Sequence, residues 1–167
     1  GTRGVRLSGL TIDGGLNATQ RVFANTACGE GTGSDAVDPG YNVCRFLQFG
    51  LLLQSVADAV VDNVVIVNAS RGLYVHGGAG LMLSHSVFAG NGFGSQTGDT
   101  VSTSVNVSIT NTSFEGSLGH GLWIDRSSVQ LREVRTLNNS WHGLRVTNST
   151  AVEIDDLDSI GNGKCGI

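Results

Sequence analysis

Short runs of alternating apolar and polar residues recur along the chain, each opened by a glycine. The unit is a glycine followed by an apolar-x-apolar triplet, and it returns every 22 to 26 residues: Gly50-Leu51-Leu52-Leu53, Gly72-Leu73-Tyr74-Val75, a degenerate Gly98-Asp99-Thr100-Val101, Gly121-Leu122-Trp123-Ile124, Gly143-Leu144-Arg145-Val146 and Gly166-Ile167. A second set of inward-type positions follows at matching offsets from four of those glycines, Ala59/Val61/Val64, Leu81/Leu83/Ser86, Val107/Ile109/Thr112 and Val152/Ile154/Leu157, and one residue early in the Gly121 coil, Val129/Leu131/Val134. Alternation within each run is strand-like, and the gaps between runs are too short for a helix. The pattern predicts a stack of at least five coils, each with short strands joined by tight turns around one continuous core. Leu73, Val75, Leu122, Ile124, Leu144 and Val146 are expected to point inward.

Asn68, Asn91, Gly116, Asn138 and Asn162 recur near the coil ends. Asn and Gly enter the left-handed backbone region at least cost, so this set reads as one column of turn residues, with its Asn side chains stacked along the axis. In these features the chain resembles the right-handed parallel β-helix proteins of the pectate-lyase-like superfamily, over nearly all its length except residues 16–49. The resemblance implies an all-β, right-handed parallel β-helix solenoid. It leaves function open, because that superfamily holds lyases, hydrolases, epimerases, tailspikes and non-enzymatic surface proteins.

Twenty-five glycines and one proline suit a chain of tight turns whose strands need every backbone donor. Val5, Leu7, Leu10 and Ile12 match the second half of a coil, and Gly166-Ile167 opens another. Residues 1–167 are therefore expected to be one β-helix segment of a longer chain, with neighbouring coils or assembly partners covering its ends. Residues 16–49 break the repeat and carry the turn signals Gly29-Glu30-Gly31-Thr32-Gly33-Ser34-Asp35 and Asp38-Pro39-Gly40. They read as a loop inserted between coils and closed by a Cys28–Cys44 disulfide, which would contribute about 3 kcal/mol. Cys165 is left over.

Six sequons begin at Asn17, Asn68, Asn106, Asn111, Asn138 and Asn148. About two would arise by chance at this composition, so the excess points to an extracellular or cell-surface glycoprotein of the secretory pathway. Asn17, Asn106, Asn111 and Asn148 are the expected acceptors, whereas the turn column places Asn68 and Asn138 in a buried ladder. A net charge of -4, with basic residues scattered, argues against nucleic acid, and no apolar run is long enough to span a membrane.

Function must come from columns, because a parallel solenoid presents residues of successive coils as ladders about 4.8 Å apart. Two outward columns are predicted: Leu52, Tyr74, Thr100, Trp123, Arg145, and Gln54, His76, Ser102, Asp125, Thr147. Rings interleaved with charged groups suit a binding face for glycan or protein, carried by Tyr74, His76, Trp123, Asp125 and Arg145. The alternative is a polysaccharide-active enzyme, a hydrolase, lyase or epimerase acting on uronate polymers with catalytic coils partly outside this segment. Gly119-His120-Gly121 and Arg145-Val146-Thr147 resemble two polygalacturonase motifs, which would make Asp99, His120 and Arg145 the catalytic candidates. Inverting hydrolysis needs an acid and a base, and only Asp99 stands where that family has two carboxylates. His120, His142 and Cys165 share a column, and Asp155, Asp156 and Asp158 one turn. Both suit solvated corners better than metal sites, so neither metal nor cofactor is expected.

Overall fold

The computed structural model describes residues 2–15, 49–91 and 98–167, and the chain is a parallel β-solenoid of about five coils. β1 (Arg6–Asp13) precedes the first full coil, which holds β2 (Phe49–Gln54) and β3 (Val60–Val67). Next come β4 (Arg71–His76), β5 (Met82–Ser84) and β6 (Val87–Ala89), then β7 (Gly98–Ser102) and β8 (Val107–Glu115). β9 (His120–Asp125) and β10 (Ser128–Leu137) follow, then β11 (Leu144–Thr147) and β12 (Ala151–Ile160). Each coil contributes a short strand to one sheet, in the order β2-β4-β7-β9-β11, and a long strand, split once into β5 and β6, to the other. The strands pair in parallel, one coil on the next.

The register fits the predicted columns. Leu51 lies opposite Leu73, Asp99 opposite Leu122, and Leu122 opposite Leu144; Val75, Val101 and Ile124 follow in the next inward column. Ala59, Val61 and Val64 with their equivalents on β5, β8 and β10 are buried, and Phe88 stacks on Phe114 at 5.1 Å. Val146 and Ile154 differ from expectation: they keep inward registers but are 37% and 42% exposed, because β11 and β12 have no paired strand on their far side among the described residues.

Corners are made by left-handed residues, in four columns. Ser55, Gly77, Thr103, Arg126 and Asn148 form the first, and Gly4, Asp58, Gly80 and Asn106 the second. Gly9, Asn63, His85, Asn111, Glu133 and Asp156 bend the long strand at its middle, and Asn68, Gly90, Gly116, Asn138 and Gly161 turn its end. This corrects the single Asn/Gly column read from the sequence. Two adjacent columns are present: Asn68, Gly116 and Asn138 hold the left-handed corner, whereas the buried ladder one residue later reads Ala69, Asn91, Ser117, Asn139 and Asn162.

In that ladder Asn91 Oδ1 accepts the Ala69 amide at 3.0 Å, and Asn139 Oδ1 accepts the Ser117 amide at 3.0 Å. Asn139 Nδ2 donates to Asn162 Oδ1 at 2.9 Å and to the Phe114 carbonyl at 3.1 Å. Neither Asn68 nor Asn138 is buried within it, and Asn138 is exposed. A serine ladder performs the same service at the first corner: the amides of Gly78, Ser104 and Ser127 donate to the hydroxyls of Ser104, Ser127 and Ser149 at 3.0 to 3.1 Å. Both ladders satisfy inward amides that no strand partner reaches.

Phe49, read as part of the insertion, instead opens β2. The rest of that insertion, with the Cys28–Cys44 pairing and Asn17, lies outside the described residues.

Candidate functional site

The short-strand sheet carries the predicted outward face. Leu52, Tyr74, Thr100, Trp123 and Arg145 are register partners in succession, as are Gln54, His76, Ser102, Asp125 and Thr147. The face is less open than the alternation alone implies. Tyr74, His76, Trp123, Arg145 and Thr147 are half-buried, whereas Thr100, Ser102 and Asp125 are buried.

Stacking along the axis turns the rings onto their own neighbours. Arg145 lies over Trp123 with its guanidinium carbon 4.9 Å from the ring centroid, and Arg71 sits over Tyr74 at the same distance. Phe49 tilts against Tyr74 at 5.5 Å, and His76 stacks on it at 6.1 Å. These rings are therefore partly covered by their own neighbours.

Polar atoms on the face are tied together. Trp123 Nε1 donates to Thr147 Oγ1 at 2.8 Å, and Thr147 donates on to Asp125 Oδ1 at 2.9 Å. Asn148 Nδ2 reaches the same oxygen at 3.1 Å, and Arg126 Nε pairs with Oδ2 at 2.8 Å. Burial pushes the Asp125 carboxyl up, but these donors outweigh it and hold the pKa below the ordinary aspartate value. Asp125 is therefore a fixed anion with its acceptor sites largely filled.

Asp99, His120 and Arg145 do not form one site. Asp99 faces the core at 1% exposure, where Oδ1 accepts the Leu73 amide at 2.7 Å and Oδ2 has no partner among the described residues. Desolvation pushes its pKa up to about 7 against hydrogen bonds from Leu73, Gly72 and Asn91 that lower it. His120 and Arg145 do meet, with Arg145 Nη1 3.1 Å from His120 Nε2. An arginine only donates, so His120 is neutral with its proton on Nδ1. Burial lowers its pKa to about 4, helped by the charges of Arg145, His142 and Lys164.

The corner leading into β9 and β11 holds more than the sequence reading gathered. His120 stacks on His142 at 5.2 Å, Trp141 meets the His120 ring edge-on at 5.6 Å, and Lys164 Nζ sits 3.8 Å from the Trp141 ring centroid. The column of His120, His142 and Cys165 was legible; Trp141 and Lys164 share the column one residue earlier, where Lys164 N donates to the Trp141 carbonyl at 3.1 Å, and were missed because that column holds a different residue type on each coil. Cys165 joins through its amide, which donates to His142 Nδ1 at 3.2 Å.

With this geometry in hand, comparison by sequence is decisive for family. Residues 40–167 match the family described as the right handed beta helix region. The chain belongs to the right-handed β-helix family. No curated protein and no solved structure matches it. Handedness and coil architecture of this β-helix follow from that membership, and the chemistry of its faces rests on its own residues. No helix among the described residues is long and apolar enough to cross a membrane.

Proposed function

We propose that this β-helix is a non-enzymatic module that acts as a rigid spacer and recognises an extended glycan or protein partner through its short-strand sheet. The observation that carries the reading is the cross-coil bonding of the two outward ladders, from Trp123 through Thr147 to Asp125. Side chains held in this way lose little entropy when a ligand arrives. Ring edges and spare guanidinium donors are the contacts on offer.

The catalytic alternative finds less support. Asp99 is sealed beneath the surface and Asp125 is locked as an anion, so no exposed acid-base pair accompanies His120 and Arg145. An extracellular, glycosylated setting agrees with exposed sequon asparagines at 106, 111 and 148. The sequon excess has a second source, however, because all five sequon asparagines among the described residues occupy left-handed corners that favour asparagine for backbone reasons.

Binding of the purified chain to immobilised glycans and candidate partners tests the proposal, with Trp123→Ala as the probe. The variant should keep the strand circular-dichroism signal and lose about 1–3 kcal/mol of binding. Turnover of a uronate polymer, abolished by His120→Ala or Arg145→Gln, would replace the recognition reading with the hydrolytic one.

A further inference from the structure

We propose that the corner formed by Trp141, His142, Arg145 and Lys164 is an anion-binding site that takes one oxyanion group of a ligand. The inference deepens the recognition reading and rests on it for the polymer that would carry the group. It stands on an imbalance of charge. Arg145 Nη1 lies 3.1 Å from His120 Nε2, Lys164 lies over Trp141, which meets the His120 ring edge-on, and neither cation makes an ion pair with a carboxylate among the described residues. By contrast Arg126, Arg132 and Arg135, elsewhere on the same coils, each have an acidic partner within 4 Å.

The aromatic backing explains how unpaired cations are held in place. Lys164 lies over Trp141 and Arg145 over Trp123, and ring quadrupoles stabilise cations without neutralising them. One Arg145 nitrogen is used on His120, which leaves the rest of its planar fork for an oxyanion. Among the described residues Lys164 is exposed, and Trp141, His142 and Arg145 are half-buried. His120 beneath them keeps a buried Nδ1 without a partner among the described residues. The cations that depress the His120 pKa, after burial itself, are the ones an anion would screen. A net charge of -4 over the chain makes a locally uncompensated positive corner the more distinct.

The test uses the whole chain and simple ions. Sulfate, phosphate and acetate are titrated against it at constant ionic strength, following tryptophan fluorescence and the His142 imidazole resonances. A saturable change in both signals is expected. Lys164→Met keeps an aliphatic chain against Trp141 and removes only the charge, and it should weaken binding about fivefold or more with an unchanged melting curve. Arg145→Gln should do likewise.

Stronger response to sulfate and phosphate than to acetate assigns a tetrahedral group, and the reverse assigns a carboxylate. A sulfated polysaccharide and a polyuronate, compared with the free ions, show whether a polymer carries it. A linear, non-saturating response to every ion, or equal affinity in Lys164→Met and the parent chain, overturns the site. Saturable ion binding with no polymer bound would keep this site and remove the recognition reading, whereas polymer binding lost in Trp123→Ala with no saturable response to any ion would keep that reading and remove the site.

Discussion

Asp99 stands where the neighbouring coils place Leu73 and Leu122, and its carboxyl has exchanged water for backbone donors. A carboxyl whose folded pKa is raised to about 7 binds its proton more tightly in the folded chain than in the unfolded one. Its contribution to stability is therefore present in acid and is lost as pH rises from the unfolded value of 3.8 towards 7, levelling off above. The loss should be on the order of a few kcal/mol, since each pH unit of that window is worth roughly 1.4 kcal/mol. Urea unfolding at pH 5 and pH 8 measures it: the parent chain should weaken with pH relative to Asp99→Asn, and parallel profiles for the two would refute the assignment. The neutral state of the buried His120 belongs to the same scale. With its pKa near 4, its imidazole signals should stay unchanged between pH 8 and pH 5.5.

One residue separates corner from ladder in each coil, and the cost of substitution differs sharply across that step. Asn138 is exposed with φ of 53°, a conformation glycine adopts freely, and glycine fills the same corner at 90, 116 and 161. Asn138→Gly should leave the thermal midpoint nearly unchanged. Asn139 is 1% exposed and holds the Ser117 amide, the Phe114 carbonyl and Asn162. Asn139→Ala strands those groups and should cost about 2–4 kcal/mol by chemical denaturation. Close packing above the ladder gives a further check. A Cβ on Gly121 would come within 2.6 Å of the Gly143 carbonyl and of Asn139 Nδ2, so Gly121→Ala should destabilise more than a glycine-to-alanine change at an open turn.

Over the whole molecule, corner columns repeat from coil to coil and set asparagines at the surface in rows. If the chain passes through the secretory pathway, glycopeptide mass spectrometry should find N-glycans on Asn106, Asn111 or Asn148, and Asn138 joins the candidates because it is exposed. All four bare in protein from its native source would remove the secretory reading. The solenoid can be read from residue order alone: the glycine-led period, the inward columns from Leu51 to Leu144, and the two outward ladders with Tyr74 and Trp123 at corresponding rungs. These are legible because strand alternation and left-handed turns are local preferences, and a period copies them from coil to coil. Coil packing selects Asn139 rather than Asn138 for the ladder, since a one-residue step moves a side chain from solvent to core. It also decides that Trp123 leans on Arg145, that Asp99 is sealed off while His120 meets Arg145, and that Lys164 caps Trp141. Those pairings join residues 22 to 25 positions apart on successive coils, so they depend on how coils settle on one another rather than on the pattern within any one coil.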